Sequence, residues 1–376
     1  MTPLLLTGMQ RSGTTLFEKI LGGQPALSLL SQPFPFLMIA VKRDFLAARG
    51  LAEALPLGHL FLEDRYRPDE FAAYLRAWRP DGARLRALSA AMGAYSGQYT
   101  RFTSEAIERA LATLPPASDF PATLRHLYEA LAHRSQARVA GAKESLCEEY
   151  LPPLLDAGWR GLIILRDPRA VLASLNAGRG AAHAGTVKPT LLNLRNWRKS
   201  VAIALALDGR PGFAWVRYED LVTSTPATLE SIARTLGVHR IPWRPDDPVR
   251  DHRGEPWPAN SSHHEMTGVS AAPVATWRDV LPRDVATYAE AVCLPELKAL
   301  GYPSDVAIDD APAIVDGFRE PYAIVRGSLA GYSERADHVA AEIERLRRVF
   351  DEPDRDSARW FQTARTHYAL RSAVLT

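Results

Sequence analysis

Leu4-Leu5-Leu6-Thr7-Gly8-Met9-Gln10-Arg11-Ser12-Gly13-Thr14-Thr15 is the stretch on which the reading of this chain turns. A short apolar run ends at Gly8, and a helical pattern begins at Leu16, so strand, glycine turn and helix form the opening unit. Four residues separate Gly8 from Gly13, as in the Walker A loop. Backbone N–H groups in such a turn point inward and the helix N-terminus adds partial positive charge, so the turn holds a phosphate. A nucleotide triphosphatase needs lysine directly after the second glycine. Thr14 stands there instead, and the cation, Arg11, lies inside the loop. The loop with Thr14 and Thr15 cradles one terminal phosphate, and Arg11 faces whatever that phosphate carries.

Outward from the loop, composition narrows the classes. Hydrophobic residues are 47% and charged residues 23% of the 376, values of a soluble globular chain with one large or two ordinary domains. Disorder, a collagen-like fibre and a disulfide scaffold are excluded. Lys and Arg number 45 against 43 Asp and Glu, so a formal charge of +2 gives no general drive toward nucleic acid or membrane. Cys147 and Cys293 read as buried thiols in a reducing compartment. Met1-Thr2-Pro3 runs straight into leucines, which lacks the basic leader of a secretory signal. No stretch reaches the roughly 18 apolar residues of a membrane span. A cytoplasmic, soluble protein is the expectation.

The pattern predicts an α/β fold on a parallel, P-loop-type sheet flanked by helices, with helical insertions and a C-terminal helical extension. Expected strands are Leu4–Thr7, Gly161–Leu165, Phe213–Arg217 and a short piece at Val139-Ala140. Residues 40–134 read as mostly helical, with clear pieces at Asp69–Trp78, Ser104–Leu114 and Pro121–Arg134. Further helices are expected at Glu148–Ala157, Pro168–Leu175, Leu191–Leu207, Thr225–Leu236 and over 281–300. Asn176–Pro189 and Pro242–Pro258 read as loops. Ser333–Phe350 reads as a charged amphipathic helix with Val339, Ile343, Leu346 and Phe350 on one apolar stripe. The expected domains are 1–303 and 304–376.

A second anion anchor follows in Leu162-Ile163-Ile164-Leu165-Arg166-Asp167-Pro168-Arg169, with Ser174 further along the next helix. Arginine at a buried strand's end and a serine on the following helix converge on one anion; the competing reading is a salt bridge from Asp167 to a neighbouring arginine. Together the two anchors resemble the sulfotransferase superfamily that uses 3′-phosphoadenosine 5′-phosphosulfate (PAPS). Arg11-Ser12-Gly13-Thr14-Thr15 is similar to that family's 5′-phosphosulfate loop, with arginine as in the tyrosylprotein and some bacterial members. Arg166 and Ser174 match its 3′-phosphate segment. Gly141-Ala142-Lys143-Glu144 resembles its glycine-x-lysine element, whose lysine reaches the transferring sulfuryl group. Val216–Leu221 resembles the element whose tyrosine, here Tyr218, lies near the adenine. Gly268–Arg278 resembles the late segment, which brings Ser270 and Arg278 over the nucleotide. The resemblance runs over roughly residues 2–303.

It implies sulfuryl transfer from PAPS to a hydroxyl of a small-molecule acceptor, a phenol or alcohol, with no metal, no nucleic-acid partner and no membrane. Arg11 and Lys143 then flank the sulfuryl and bridging oxygens. The general base departs from the family's patterns. The histidine of the cytosolic enzymes is replaced by Ser145, and the glutamate of the tyrosylprotein type falls near Gln32, whose neutral amide cannot be a base. Glu144 is the first candidate; Glu63, Asp64, His59 and His183 are the others, while His263-His264 reads as solvated loop. Two alternatives stay open, a P-loop small-molecule kinase and a non-catalytic module binding 3′,5′-diphosphoadenosine. The acceptor pocket is expected from 40–134, 176–190 and 242–264, whose aromatics Phe34, Phe36, Phe45, Phe61, Tyr66, Tyr74 and Trp78 read as core or pocket lining.

Overall fold

The apolar runs Leu4–Leu6 and Gly161–Leu165 lie side by side in one parallel sheet. The computed structural model describes residues 1–50, 66–95, 104–132, 136–177, 187–244, 248–250, 255–257, 268–323, 336–351 and 364–375. In chain order the elements are β1 (Thr2–Thr7), α1 (Thr14–Gly22), β2 (Leu27–Ser31), α2 (Pro35–Ala48), α3 (Pro68–Ala77), α4 (Gly82–Tyr95), α5 (Ser104–Ala112), α6 (Phe120–Ala130), β3 (Val139–Lys143), α7 (Leu151–Asp156) and β4 (Arg160–Leu165). Then come α8 (Pro168–Leu172), α9 (Thr190–Leu207), β5 (Phe213–Arg217), α10 (Tyr218–Thr223), α11 (Thr225–Leu236), α12 (Trp277–Val280), α13 (Arg283–Val292), α14 (Leu294–Ala299), α15 (Ala311–Gly317), α16 (Ala336–Asp351) and α17 (Ala364–Leu375). Met1–Ala52, Arg67–Leu165 and Leu207–Ser270 form one compact unit; Glu53–Tyr66, Arg166–Ala206 and Ala271–Thr376 form a second.

The first unit holds the sheet, in order β2-β3-β1-β4-β5. Every neighbouring pair is parallel. Leu4, Leu5 and Leu6 of the central strand are wholly buried, as are Leu162 to Leu165 of β4, which is why both read as unbroken apolar runs. At Gly141 a β-carbon would stand 2.1 Å from the Leu4 carbonyl oxygen, so β3 can lie this close to β1 only with glycine there. Helices α1, α6, α7 and α11 pack on the strands. Phe45, Phe71, Tyr150, Phe120 and Trp78 form a chain of ring contacts with centroids 5.0–5.6 Å apart. Phe34 stacks on Tyr128. These aromatics belong to the core.

Sequence and structure differ in several elements. Strand β2 was not expected, and β3 runs on to Lys143 instead of stopping at Ala140. A 3-10 turn, Glu148–Tyr150, precedes α7, because Pro152 and Pro153 suit a helical first turn and not an interior. The helix expected over 281–300 divides at Cys293 into α13 and α14, with Pro295 in the first turn of the second. The Asn176–Pro189 loop begins inside a π-helical turn, Ala173–Ala177; residues 178–186 lie outside the described residues. So does most of the Pro242–Pro258 loop.

In the second unit α15 packs on α13 and α16, and α17 packs on α14. Of the stripe expected to bury on α16, only Leu346 does so fully; Val339, Ile343 and Phe350 are half-buried. The buried face instead carries His338, Glu342, Arg345, Leu346 and Val349. The reason is the facing helix. Arg195 of α9 donates from Nε to Glu342 Oε1 at 2.7 Å, and Arg198 of α9 binds Glu342 Oε2. Arg345 reaches Glu342 Oε2 at 3.1 Å and Glu296 Oε1 at 3.2 Å, and Arg198 reaches Glu296 Oε1 at 2.9 Å. Although burial alone would raise it, the surrounding arginines hold the Glu342 carboxyl down to about 2.

Candidate active site

The parallel sheet places the candidate residues of the first unit at the carboxyl ends of its strands, where open α/β sheets bind ligands. Arg11 (φ 67°), Gln32 (φ 47°) and Leu146 (φ 62°) are the non-glycine residues with left-handed backbones among those described. Each follows one of three adjacent strands, β1, β2 and β3. Such conformations cost on the order of 1–3 kcal/mol each and gather at functional sites.

The loop after β1 has the shape its sequence demands. Ser12 N–H bonds the Met9 carbonyl at 3.2 Å, and Gly13, in the left-handed region at φ 92°, starts α1. No side-chain hydrogen bond caps the helix and its first turn contains no acid, so neither a cap nor a first-turn carboxylate answers its orphan N–H groups. The Ser12 hydroxyl is buried without a hydrogen-bond partner among the described residues. Tyr218, the first residue of α10, covers Gly13: a β-carbon at Gly13 would meet its ring at 2.4 Å. Thr14 is buried and Thr15 half-buried.

The stretch after β3 is stitched to this loop. Glu144 N–H bonds the Leu6 carbonyl at 2.9 Å, Leu146 N–H bonds the Gly8 carbonyl at 3.1 Å, and Cys147 N–H bonds Thr7 Oγ1 at 3.0 Å. Lys143 and Glu144 are each 1% exposed. Lys143 Nζ donates to Gln32 Oε1 at 2.6 Å. Burial draws the Lys143 ammonium down to about 8; Glu18 and Glu144 oppose that and Lys19 adds to it. The Glu144 carboxylate accepts the Phe34 N–H at 2.7 Å. Burial raises its pKa to about 8, against the pull of that N–H and of Lys143.

In the second unit Arg166 is buried, donating from Nη2 to the Pro273 carbonyl at 3.0 Å, while its own carbonyl accepts Trp197 Nε1–H at 2.7 Å. Both Asp167 oxygens hold Arg169, which also reaches Glu290 at 2.7 Å. Ser174 is half-buried on the π-helical turn, against which α12 packs. Two guanidinium groups lie over the Trp277 ring of α12, Arg169 at 4.5 Å and Arg278 at 4.7 Å from its centroid. Arg166, Ser174 and Arg278 thus come from adjoining elements of one unit. Ser270 is half-buried just before the turn Ala272–Val274. His59, Glu63, Asp64, His183, His263 and His264 lie outside the described residues.

A family model described as the Sulfotransferase family matches residues 3–243. The chain belongs to that family. No curated protein matches it. It is similar to the solved sulfotransferase domain from the curacin biosynthetic pathway, at 16% identity and TM-score 0.42 over 80% of this chain and 97% of that one. It is also similar to the sulfotransferase domain of the Synechococcus PCC 7002 olefin synthase, at 18% identity and TM-score 0.42 over 77% and 93%. Retinol dehydratase in a complex with retinol and PAP matches at 18% identity and TM-score 0.37 over 81% and 82%. The family supports sulfuryl transfer by this sulfotransferase, and hence a transferase. Among the described residues of the sulfotransferase, no helix is long and apolar enough to cross a membrane, and no cluster of three or more His, Cys, Asp or Glu could hold a metal.

Three contributors escaped the sequence reading. Gln32 was weighed only as a base and rejected, and nothing in the string ties it to Lys143. Glu18 and Lys19 of α1 were not weighed at all, yet both are buried and bear on the Lys143 charge. The only written hint was that two ionic residues interrupt the helix between Phe17 and Ile20.

Proposed function

We propose that this sulfotransferase moves a sulfuryl group from PAPS to a hydroxyl of a small-molecule acceptor, a phenol or alcohol, in the cytoplasm. One observation carries the reading: the uncapped start of α1, with left-handed Arg11 and Gly13 and a buried Ser12 hydroxyl that has no partner among the described residues. Those features fit a phosphosulfate end. The N–H groups of Gly13, Thr14 and Thr15 and the Ser12 hydroxyl would hold its 5′-phosphate, and Arg11 would meet the bridging oxygen. Arg166 and Ser174 would hold the 3′-phosphate, with Tyr218, Ser270 and Arg278 on the nucleoside side. The domain assignment in this reading is 1–303 for transfer and 304–376 as a helical extension.

Bound PAPS supplies the activated sulfuryl group. The chain positions and neutralises: sulfuryl transfer passes through a loose, in-line transition state, so fixed cations at the departing oxygen act mainly there. Arg11 and Lys143 fill that role. Glu144 takes the acceptor's proton, and burial makes its carboxylate a stronger base than an ordinary glutamate. The fixed cations do the neutralising, so no divalent metal is invoked.

Titration calorimetry tests the reading. 3′,5′-Diphosphoadenosine is expected to bind without metal, and transfer from labelled PAPS is expected across a panel of phenols and alcohols. No heat with that diphosphate, together with binding of ATP and magnesium, would favour the kinase. Binding without transfer to any acceptor would favour the non-catalytic module. The base is tested by the pH–rate profile of Glu144→Gln; an unchanged shape with a rate within about threefold of the parent removes Glu144 from the role.

A further inference from the structure

We infer that Gln32 positions the Lys143 ammonium, aiming its charge at the transferring group while leaving that charge intact. The inference rests on the reading of Lys143 as a transfer residue and assigns a neighbour that reading leaves without a task. Strands β2 and β3 pair with Ser31 opposite Lys143, so Gln32 is the first residue beyond that pair. Its N–H then bonds the Lys143 carbonyl at 2.8 Å, and its side-chain oxygen accepts from Lys143 Nζ at 2.6 Å. The backbone reaches this double grip only by entering the left-handed region at φ 47°, which side chains with a β-carbon rarely adopt. A strained residue gripping one lysine at both ends over-determines where that amine stands.

The chemistry explains why an amide suits the position. A carboxylate in contact with the ammonium would neutralise it, and a cation already paired stabilises little of the charge that grows on a departing oxygen. An amide oxygen orients the amine through its dipole and carries no net charge. Negative charge near Lys143 is already supplied by Glu18 from α1 and by Glu144 beyond its own strand, and Lys19 from α1 opposes them. The facing strands β1 and β2 contain no titratable side chain. Glu144 is held toward the Phe34 N–H, so the contact to Gln32 is neutral.

The test places a carboxylate where the amide stands. The Nζ resonance of Lys143 is followed in protein labelled with ¹⁵N-lysine, assigned by loss in Lys143→Arg, for the parent, Gln32→Glu and Gln32→Ala. Gln32→Glu is expected to raise the Lys143 titration by about one unit or more, since an added opposite charge in contact favours the ammonium. The falling limb of the pH–rate profile should move upward by the same amount. Gln32→Ala is expected to lower kcat about tenfold, with the affinity for 3′,5′-diphosphoadenosine within about threefold of the parent. Unfolding midpoints check that each variant folds. A Lys143 titration identical in parent and Gln32→Glu overturns the contact, and an unchanged kcat in Gln32→Ala overturns its role. The titration needs no substrate. A parent with no transfer from PAPS therefore overturns the activity reading, while the titration still decides the contact.

Discussion

Around Glu342 three arginines close on one carboxylate, whereas the Lys143 ammonium donates to a neutral amide with the charges of Glu18, Glu144 and Lys19 nearby. Both clusters are buried, and the same loss of water acts on each. At Glu342 the opposite charges outweigh burial and its pKa falls to about 2, so the proton is locked off. At Lys143 and Glu144 burial dominates, one pKa falling and the other rising until both stand near 8. Oversupplied counter-charge makes a girder; undersupplied counter-charge leaves protons and cations available for chemistry.

The hardest way to break this contrast is Glu342→Ala. Three buried arginines would lose their shared partner, and a stability loss of about 3–5 kcal/mol is expected in chemical denaturation. A loss below about 1 kcal/mol would mean that the cluster holds nothing together. Arg11→Ala and Lys143→Ala should do the opposite, cutting turnover by about 10²–10³-fold with a change in stability near 1 kcal/mol. Steady-state kinetics beside denaturation curves separates the two classes, and a Lys143→Ala enzyme with parental turnover would put that amine among the girders.

Acidity sharpens the contrast next. Since the folded pKa of Glu342 lies below its ordinary value of 4.5, its stabilisation is present above about 4.5 and is lost as pH falls through about 2. Acid unfolding should steepen in that window and flatten in Glu342→Gln. Lys143 acts at the other end: turnover should fall about tenfold per pH unit above about 8, as the amine gives up its charge. A rate that stays level to pH 10 would remove the ammonium from the transfer step. The smallest effect belongs to Ser12→Ala. Its hydroxyl has no partner to lose among the described residues, so stability should hold or rise slightly, while affinity for 3′,5′-diphosphoadenosine drops about fivefold, roughly 1 kcal/mol.

What could be read from the string follows the same division. The strands Leu4–Thr7 and Gly161–Leu165 were legible because sheet burial on both faces leaves only apolar residues. Strand β2 was not, since Ser28 and Ser31 break its apolar run and Pro25 and Pro33 flank it. Strand β3 was cut short at Ala140 because Gly141-Ala142-Lys143 has poor strand propensity; the glycine is there for close approach to Leu4, a contact invisible in one dimension. On α16 the apolar stripe misjudged the buried face, because two of the three arginines that make Glu342 tolerable inside come from α9. The loop residues Arg11 to Thr15 could be found from spacing. Their neighbours Gln32, Glu18 and Lys19 could not, for a hydrogen bond between residues on different strands leaves no local trace.

The central position of β1 has a consequence for how the chain is made. Thr2 pairs with Val139 and Leu4 with Arg160, so β1 leaves the ribosome long before either of the strands that flank it. At about 5–20 residues per second, Leu4-Leu5-Leu6 waits roughly ten to thirty seconds for either neighbour. Until then its apolar edges are open to other nascent chains. Slow, non-local parallel pairing of this kind exposes a chain to aggregation. Shielding β1 until β4 emerges is thus a task that chaperones would ease.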